Sequence, residues 1–302
     1  MLKQVQHDEQ MKISGFTIVR NAIKFDYPIV EAINSILPLC DEMIVAVGKS
    51  EDDTLGLIKS INSPKIKIIE TVWDDTLREG GKVLADETNK AFAAISSETD
   101  WCFYIQGDEV IHEKYHPQIR SAMQKWLNDK NVEGLLLNYK HFYGSYDFVA
   151  DSRKWYRKEI RVIKHDKNFS SYKDAQGFRK KDNSKLKVKQ VDASVYHYGW
   201  VKPPDKQQAK QQSFHKMWHD DEWMKKNIPT ISEFDYSNID SLAKFEGTHP
   251  IVMLERIKKM NWKFSFDPTR KNSSHSTAGR ILYSIEKMFG YRIGEYKNYR
   301  LI

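Results

Sequence analysis

Cysteine is scarce: Cys40 and Cys102 are the only two in 302 residues, and each stands among apolar neighbours. Two such thiols do not make the disulfide framework of a small secreted domain, and no zinc-type Cys spacing occurs. Both are expected to be buried small hydrophobes of a protein in a reducing compartment. No stretch of about 18 apolar residues exists, which excludes a spanning helix. Residues 1–11 are polar and lack the apolar core of a signal peptide, so a polar leader is expected there. Several nucleotide and nucleophile strings are missing too. Gly48-Lys49-Ser50 looks like the end of a phosphate-binding loop, but the glycine required five residues earlier is Met43. No G-x-G-x-x-G follows the first strand, and no G-x-S-x-G occurs, which removes the dinucleotide fingerprint and the hydrolase nucleophile elbow.

What is present suits a folded α/β protein. Hydrophobic residues make up 40% and aromatics 12%, enough for a substantial core. The net charge of +7 comes from 48 basic residues interspersed with 41 acidic ones, which favours anionic ligands or an anionic membrane surface without singling out nucleic acid. Trp101-Cys102-Phe103-Tyr104-Ile105 is an unalternating apolar run too short for a helix, as expected of a strand buried on both faces. It ends at Gln106-Gly107-Asp108-Glu109, where two carboxylates sit at the carboxyl end of a central strand, the edge at which open α/β sheets bind ligands. Carboxylates there suit a hard divalent cation that also holds phosphate oxygens.

Similar units surround this stretch. Ile13 to Val19 reads as a first strand followed by Arg20-Asn21. A helix is expected from Tyr27-Pro28 to Leu39, then a second strand from Met43 to Val47 that ends in Gly48 to Thr54. Leu55 to Ile61 reads as a short helix capped by Asp53 or Thr54, Ile66 to Val72 as a third strand nearer an edge, and Lys82 to Ala94 as a helix opened by Gly80-Gly81. Strand–helix–strand alternation with short connections predicts parallel pairing with right-handed crossovers. Further on, Pro117 to Leu127 is a predicted helix, and Leu135 to Tyr139 and Glu159 to Ile163 are predicted strands. The polar stretch Arg179 to Lys189 is expected as a mobile loop, and Pro203-Pro204 marks a boundary. Beyond it, Lys206 to Lys226 and Pro250 to Met260 are predicted helices. Ile281, Leu282, Ile285, Met288 and Phe289 line one side of a last one, with Arg280, Lys287 and Arg292 elsewhere. That last helix is expected to pack on the protein, a basic amphipathic helix on a membrane surface being the alternative.

In a parallel sheet the polar strand ends Arg20-Asn21, Ser50 to Asp53 and Gln106 to Glu109 should converge. Together they resemble the nucleotide-sugar half of a GT-A fold glycosyltransferase of the family 2 type. Ser50-Glu51-Asp52-Asp53-Thr54 matches that family's S-x-D-x-T ending, and Gly80, Gly81 and Asn89 fit the helix that comes near the nucleotide. The family's D-x-D falls on Gln106-Gly107-Asp108, with Gln106 in place of the first acid. The resemblance covers about residues 12–204 and implies a mostly parallel sheet flanked by helices, with residues 205–302 as a C-terminal helical extension serving the acceptor side or an oligomer contact. It implies donor binding by Arg20, Asn21, Ser50, Asp52, Asp53, Gly81, Asn89, Gln106 and Gly107. It implies a divalent metal, Mn or Mg, on Asp108, with Glu109 compensating for Gln106 and a downstream His as a further ligand: His197, with His112 its competitor.

An inverting transfer also needs a carboxylate base. The family supplies it from the second half of the domain, where Asp174 and Glu159 are the candidates; Asp174 is favoured because a loop near a glycine can approach an acceptor. Arg153, Arg157 and Arg161 are candidate diphosphate contacts, a solvated basic face being the plainer reading. The expected activity is transfer of a sugar from a nucleotide-sugar to a saccharide or lipid-linked acceptor, in cell-surface polysaccharide or lipopolysaccharide assembly. The expected place is the cytoplasm, including the inner face of the membrane, with no nucleic acid as partner. Two alternatives stay open: a sugar nucleotidyltransferase, against which the glycine-free Arg20 to Lys24 counts, and a non-enzymatic glycan- or nucleic-acid-binding protein using the aromatic and basic residues of 139–161.

Overall fold

The structure, a computed structural model, describes residues 11–77, 80–219, 221–227, 231–267, 282–283, 285–286, 288–289 and 292–302. The leader, apart from Met11, lies outside the described residues, as do Arg280, Ile281 and Lys287 of the last predicted helix. The first half alternates as expected: β1 (Ile13–Val19), α1 (Ile29–Ile36), β2 (Glu42–Gly48), α2 (Thr54–Lys59), β3 (Ile66–Thr71), α3 (Lys82–Ala93) and β4 (Trp101–Tyr104). β1 pairs in parallel with β2 on one side and with β4 on the other, and β2 pairs in parallel with β3. The strand order therefore reverses at β1, and such a switch point opens a crevice at the carboxyl ends of the strands.

Residue parity explains the two-sided burial. Ile13 and Val19 of β1, Met43, Val45 and Val47 of β2, and Trp101 and Phe103 of β4 pack in one cluster with Ile29, Ala32, Ile33 and Ile36 of α1. Their neighbours Phe16, Ile18, Ile44, Ala46, Cys102 and Tyr104 point to the other face and pack with Ala91 and Phe92 of α3. Unbroken apolar runs are what a strand covered by helices on both sides requires. Both cysteines are free and buried, as expected.

After β4 come β5 (Glu109–Ile111), α4 (His116–Lys125), β6 (Gly134–Tyr143), β7 (Ser145–Ala150), β8 (Lys158–Lys164), β9 (Phe169–Tyr172), β10 (Gly177–Lys180) and the long β11 (Lys187–Trp200). β8 runs antiparallel to β4 and to β6, and β11 pairs in parallel with β6 and antiparallel to β5. The stretch 179–189 is thus not a loop throughout. β10 pairs with β9, β11 begins at Lys187, and Leu186 and Val188 are fully buried, so ladder bonds and two apolar anchors outweigh its polar composition.

The C-terminal third contains α5 (Pro204–Lys216), α6 (Asp221–Asn227), β12 (Leu242–Lys244), α7 (Leu254–Lys258) and β13 (Arg300–Leu301). The helix expected over 206–226 is two helices, and that over 250–260 is a 3-10 turn leading into α7, with Ile251 and Leu254 exposed. The segment also joins the main sheet, since β12 pairs with β7 and β13 with β11. Among the described residues no helix is long and apolar enough to cross a membrane.

Candidate active site

The crevice at the carboxyl ends of β1 and β4 is a cleft of about 1020 Å³. Arg20, Asn21, Lys24, Glu51 and Trp73 line one side, Gln106, Gly107 and Asp108 the floor, and Asp174 to Gln176, at the tip of the β9–β10 hairpin, another side. His197 and Trp200 from β11, and Ala209 to Lys216 of α5 with Met217 just after it, complete it. Chain segments far apart in sequence thus meet where the switch point opens.

Asp108 is the centre of charge. Its Oδ2 lies 2.9 Å from Nζ of Lys210 on α5 and 3.7 Å from Nε2 of His197. Burial alone would raise the carboxyl, but the ammonium of Lys210 beside it outweighs burial and holds Asp108 ionised well below the ordinary carboxylate range. His197 is oriented through a second histidine. Nε2 of His141 is 2.8 Å from the carbonyl of Tyr156, so that nitrogen carries the proton and donates. Burial pushes His141 well down, keeping it neutral, so its Nδ1 accepts from Nδ1–H of His197 at 3.2 Å. His197, also pushed down by burial, then has its lone pair on Nε2, the nitrogen nearer Asp108. Gly199 makes this packing possible: a Cβ there would come within 2.6 Å of both Asp108 Oδ2 and His197 Nε2.

Glu109, one residue on, is engaged elsewhere. It is fully buried against the fully buried Arg161, with Nη2 2.7 Å from Oε1 and Nε 2.8 Å from Oε2. Tyr139 donates its hydroxyl to Oε1 at 2.5 Å, and the backbone N–H of Gln106 donates to Oε2 at 3.1 Å. Both oxygens are satisfied inside the protein, which corrects the expectation of Glu109 as a metal ligand and of Arg161 as a diphosphate contact. The same residues carry the hairpin: Arg161 Nη1 donates to the carbonyl of Gln176 at 2.8 Å, and Gln106 Nε2 to that of Ala175 at 3.2 Å. An acid at position 106 could not make that donation when ionised, a physical reason for glutamine there. Lys173 and Ala175 both have φ near +55 to +60°, so the tip around Asp174 is sharply turned. Burial raises Asp174 above the ordinary carboxylate range despite backbone N–H groups that lower it. Glu159, the other base candidate, does not line the cleft. It is buried beneath it, its Oε2 lacks a hydrogen-bond partner, and burial pushes its pKa up to about 8.

Of the other expected donor residues, Arg20, Asn21, Gln106 and Gly107 line the cleft, while Ser50, Asp52, Asp53, Gly81 and Asn89 do not. The second group holds loops and helices together. Ser50 Oγ accepts from Asn21 N–H at 3.0 Å, Asp52 from Lys24 N–H at 2.6 Å, and Asp53 caps α2 by accepting from Gly56 N–H. Asn89 Oδ1 accepts from Ser171 N–H at 2.7 Å, tying α3 to β9. Gly81, with φ of +70°, opens α3 against Asp174, whose Cβ would lie 3.0 Å from a Cβ placed there. Arg153 and Arg157 pair with Glu286 and Glu295, away from the cleft, and His112 bonds Thr248. Sequence reasoning missed Lys210, His141 and Trp73. Lys210 lies in a lysine- and glutamine-rich helix with nothing local to mark it, whereas Trp73 comes two residues after the end of β3.

No protein-family profile matches the chain. An uncharacterized glycosyltransferase of Rickettsia typhi is 26% identical over 192 residues, 62% of this chain and 60% of that protein, and an uncharacterized glycosyltransferase of Rickettsia felis is 24% identical over the same length. The chain is similar to glycosyltransferases. The match spans about 60% of the length of these relatives. Among solved structures, S. aureus TarS 1-349 aligns with 68% of the chain and 64% of its own at 14% identity, with a TM-score of 0.37. Glucosyl-3-phosphoglycerate synthase of Mycobacterium tuberculosis, in complex with Mn²⁺, UDP and phosphoglyceric acid, aligns with 44% of each chain at 21% identity, with a TM-score of 0.29.

A divalent ion at Asp108 fits these side chains poorly. Asp108 and the Nε2 lone pair of His197 are suitable donors, but no group of three or more His, Cys, Asp or Glu able to hold a metal occurs among the described residues. Glu109 is bound to Arg161, Gln106 to Ala175, and an ammonium already rests on Asp108.

Proposed function

We propose that the chain is a glycosyltransferase whose cleft binds a nucleotide-sugar and passes its sugar to an acceptor hydroxyl. The observation that carries this reading is the convergence of the β1 and β4 strand ends, the Asp174 hairpin tip and the Asp108–Lys210–His197 cluster on one cleft at the switch point. Similarity to chains named as glycosyltransferases supports it. The donor's diphosphate lies at the Asp108 end, near the ammonium of Lys210, with Arg20, Asn21 and Trp73 on the nucleoside side. Asp174 is the base. Its carboxylate takes the proton of the acceptor hydroxyl as that oxygen bonds to the anomeric carbon, and the bond from that carbon to the diphosphate oxygen breaks, the electron pair leaving with the nucleoside diphosphate. Attack from the hairpin side, opposite the leaving group, inverts the anomeric centre. The raised pKa of Asp174 suits a base, since a stronger base accepts the proton more readily once ionised. The acceptor is a saccharide or lipid-linked sugar, and the setting is cytoplasmic assembly of a surface polysaccharide.

The test is a binding screen of UDP-, GDP- and CDP-sugars, followed by release of nucleoside diphosphate from the sugar nucleotide that binds. Asp174→Asn keeps donor binding while turnover falls by about 10²-fold or more. The wild-type rate loses activity on an acid limb displaced upward from the ordinary carboxylate range, because Asp174 is protonated below its raised pKa. Binding of RNA or oligosaccharide with no response to any sugar nucleotide overturns the reading.

A further inference from the structure

We propose that Lys210, in place of a divalent metal ion, is the cation through which this cleft grips the diphosphate of its donor. The inference rests on the nucleotide-sugar reading of the cleft and adds to it a residue that the family resemblance does not supply. Nζ of Lys210 donates to Asp108 Oδ2 at 2.9 Å and to the carbonyl of Gly199 at 3.0 Å. An ammonium has three N–H donors, so one is left to meet a phosphate oxygen at the cleft that Lys210 lines. The side chain is about one-eighth exposed, so its position is set by packing rather than by solvent. α5 begins right after β11 through Pro203-Pro204, and the strand that places His197 therefore also places Lys210 seven residues into the helix.

The surroundings favour a resident ammonium over an added ion. Lys202 also lies against Tyr27, its Nζ 4.5 Å from the ring centroid compared with 5.1 Å for Lys210, and donates to the carbonyl of Phe25 at 2.7 Å. A metal on Asp108 would have to displace Lys210 from its carboxylate, leaving a buried ammonium without its counter-ion beside a dication. Removing one partner of a buried ion pair is costly because the other charge stays behind. Meanwhile the acids that could enlarge a metal's shell are taken: Glu109 by Arg161, and the first D-x-D position by the amide of Gln106. As the anomeric bond breaks, charge gathers on the diphosphate oxygen, and a fixed ammonium there stabilises it without reorganising.

Isothermal titration of the full chain with UDP, GDP, CDP and ADP, in EDTA and again with Mn²⁺, tests this. The nucleotide that binds is expected to bind in EDTA, with Mn²⁺ changing its Kd less than about threefold. Lys210→Met weakens binding in EDTA by about ten- to a hundredfold, the range of a lost charge-assisted hydrogen bond, and Lys210→Arg restores most of it. Because Lys210→Met leaves Asp108 buried without its partner, Asp108→Asn/Lys210→Met, which removes both charges, serves as the folded control and shows the same weakening. Binding that needs Mn²⁺ in the wild type, or is unchanged in both Lys210→Met variants, overturns the role of Lys210 and leaves the donor reading standing. Binding of no nucleotide in either condition overturns both.

Discussion

Glu159 shows how one residue type takes different roles according to its surroundings. Three carboxylates stand in three states: Asp108 is held ionised by Lys210, Glu109 is neutralised by Arg161, and Glu159 is kept protonated near neutral pH. Burial is the dominant cause at Glu159, with Glu109 and Asp174 adding to it and Arg161 opposing. Its pKa of about 8 when folded stands above the ordinary value of 4.5, so between these values the folded chain holds a proton that the unfolded chain releases. This contribution to stability is fully present below the lower value and is lost as pH rises through the upper one. Glutamine imitates the neutral acid at every pH. Glu159→Gln should therefore exceed the wild type by no more than about 1 kcal/mol at pH 5 and by about 2–4 kcal/mol at pH 9, read from denaturant curves at both pH values. A gain that is the same at both pH values would mean that the proton is not involved. The distinction from Asp174 lies in position: Asp174 lines the cleft, whereas the Glu159 carboxyl is buried beside Gly177 and Asn298.

At the scale of elements, the β9–β10 hairpin shows what the sequence concealed. The central strand was legible because five apolar residues in a row, Trp101 to Ile105, demand burial on both faces, and the turn after it because a glycine and two acids follow. The partner of Glu109 was not legible, since Arg161 lies 52 positions downstream and pairing across that distance leaves no local pattern. Arg161 joins the turn at Gln106–Glu109 to the hairpin tip through Gln176 and lies over the rings of Tyr104 and Tyr139, 5.3 and 5.2 Å from their centroids. Arg161→Met leaves Glu109 charged and buried, and should cost about 3–5 kcal/mol of stability in denaturant unfolding. Faster amide exchange should appear over 173–177 before the rest of the sheet, because the hairpin loses its link to β8. A uniform rise in exchange throughout the sheet would argue that the pair supports the core alone and not the tip.

For the whole molecule, residues distant in sequence complete the structure around the cleft: α5 supplies Lys210, and the last residues add a strand to β11 and a buried tyrosine to the core. Strand–helix alternation made the first four strands readable, whereas the sheet's return through β11 and β13 depends on long-range pairing that no periodicity reports. β13 adds to β11 at Lys187 and Val188, Asn298 and Tyr299 are buried, and the side chain of Asn298 lies against Gly177, next to Glu159 Oε2. The C-terminal segment therefore helps create the dry surroundings that keep Glu159 protonated. Deletion of residues 297–302 removes a buried tyrosine and a strand partner, and should lower Tm by roughly 3–10 °C, from the cost of one large side chain in a domain of this size. It should also admit water to Glu159, bring its pKa down toward the ordinary range, and so abolish the pH-dependent advantage of Glu159→Gln. Thermal melts of the four chains at pH 5 and pH 9, with and without each change, measure that coupling as a double-mutant cycle. A full pH-dependent advantage persisting in the shortened chain would show that β8 and β10 alone bury Glu159, and that the C-terminal strand contributes stability without shaping the charge beneath the cleft.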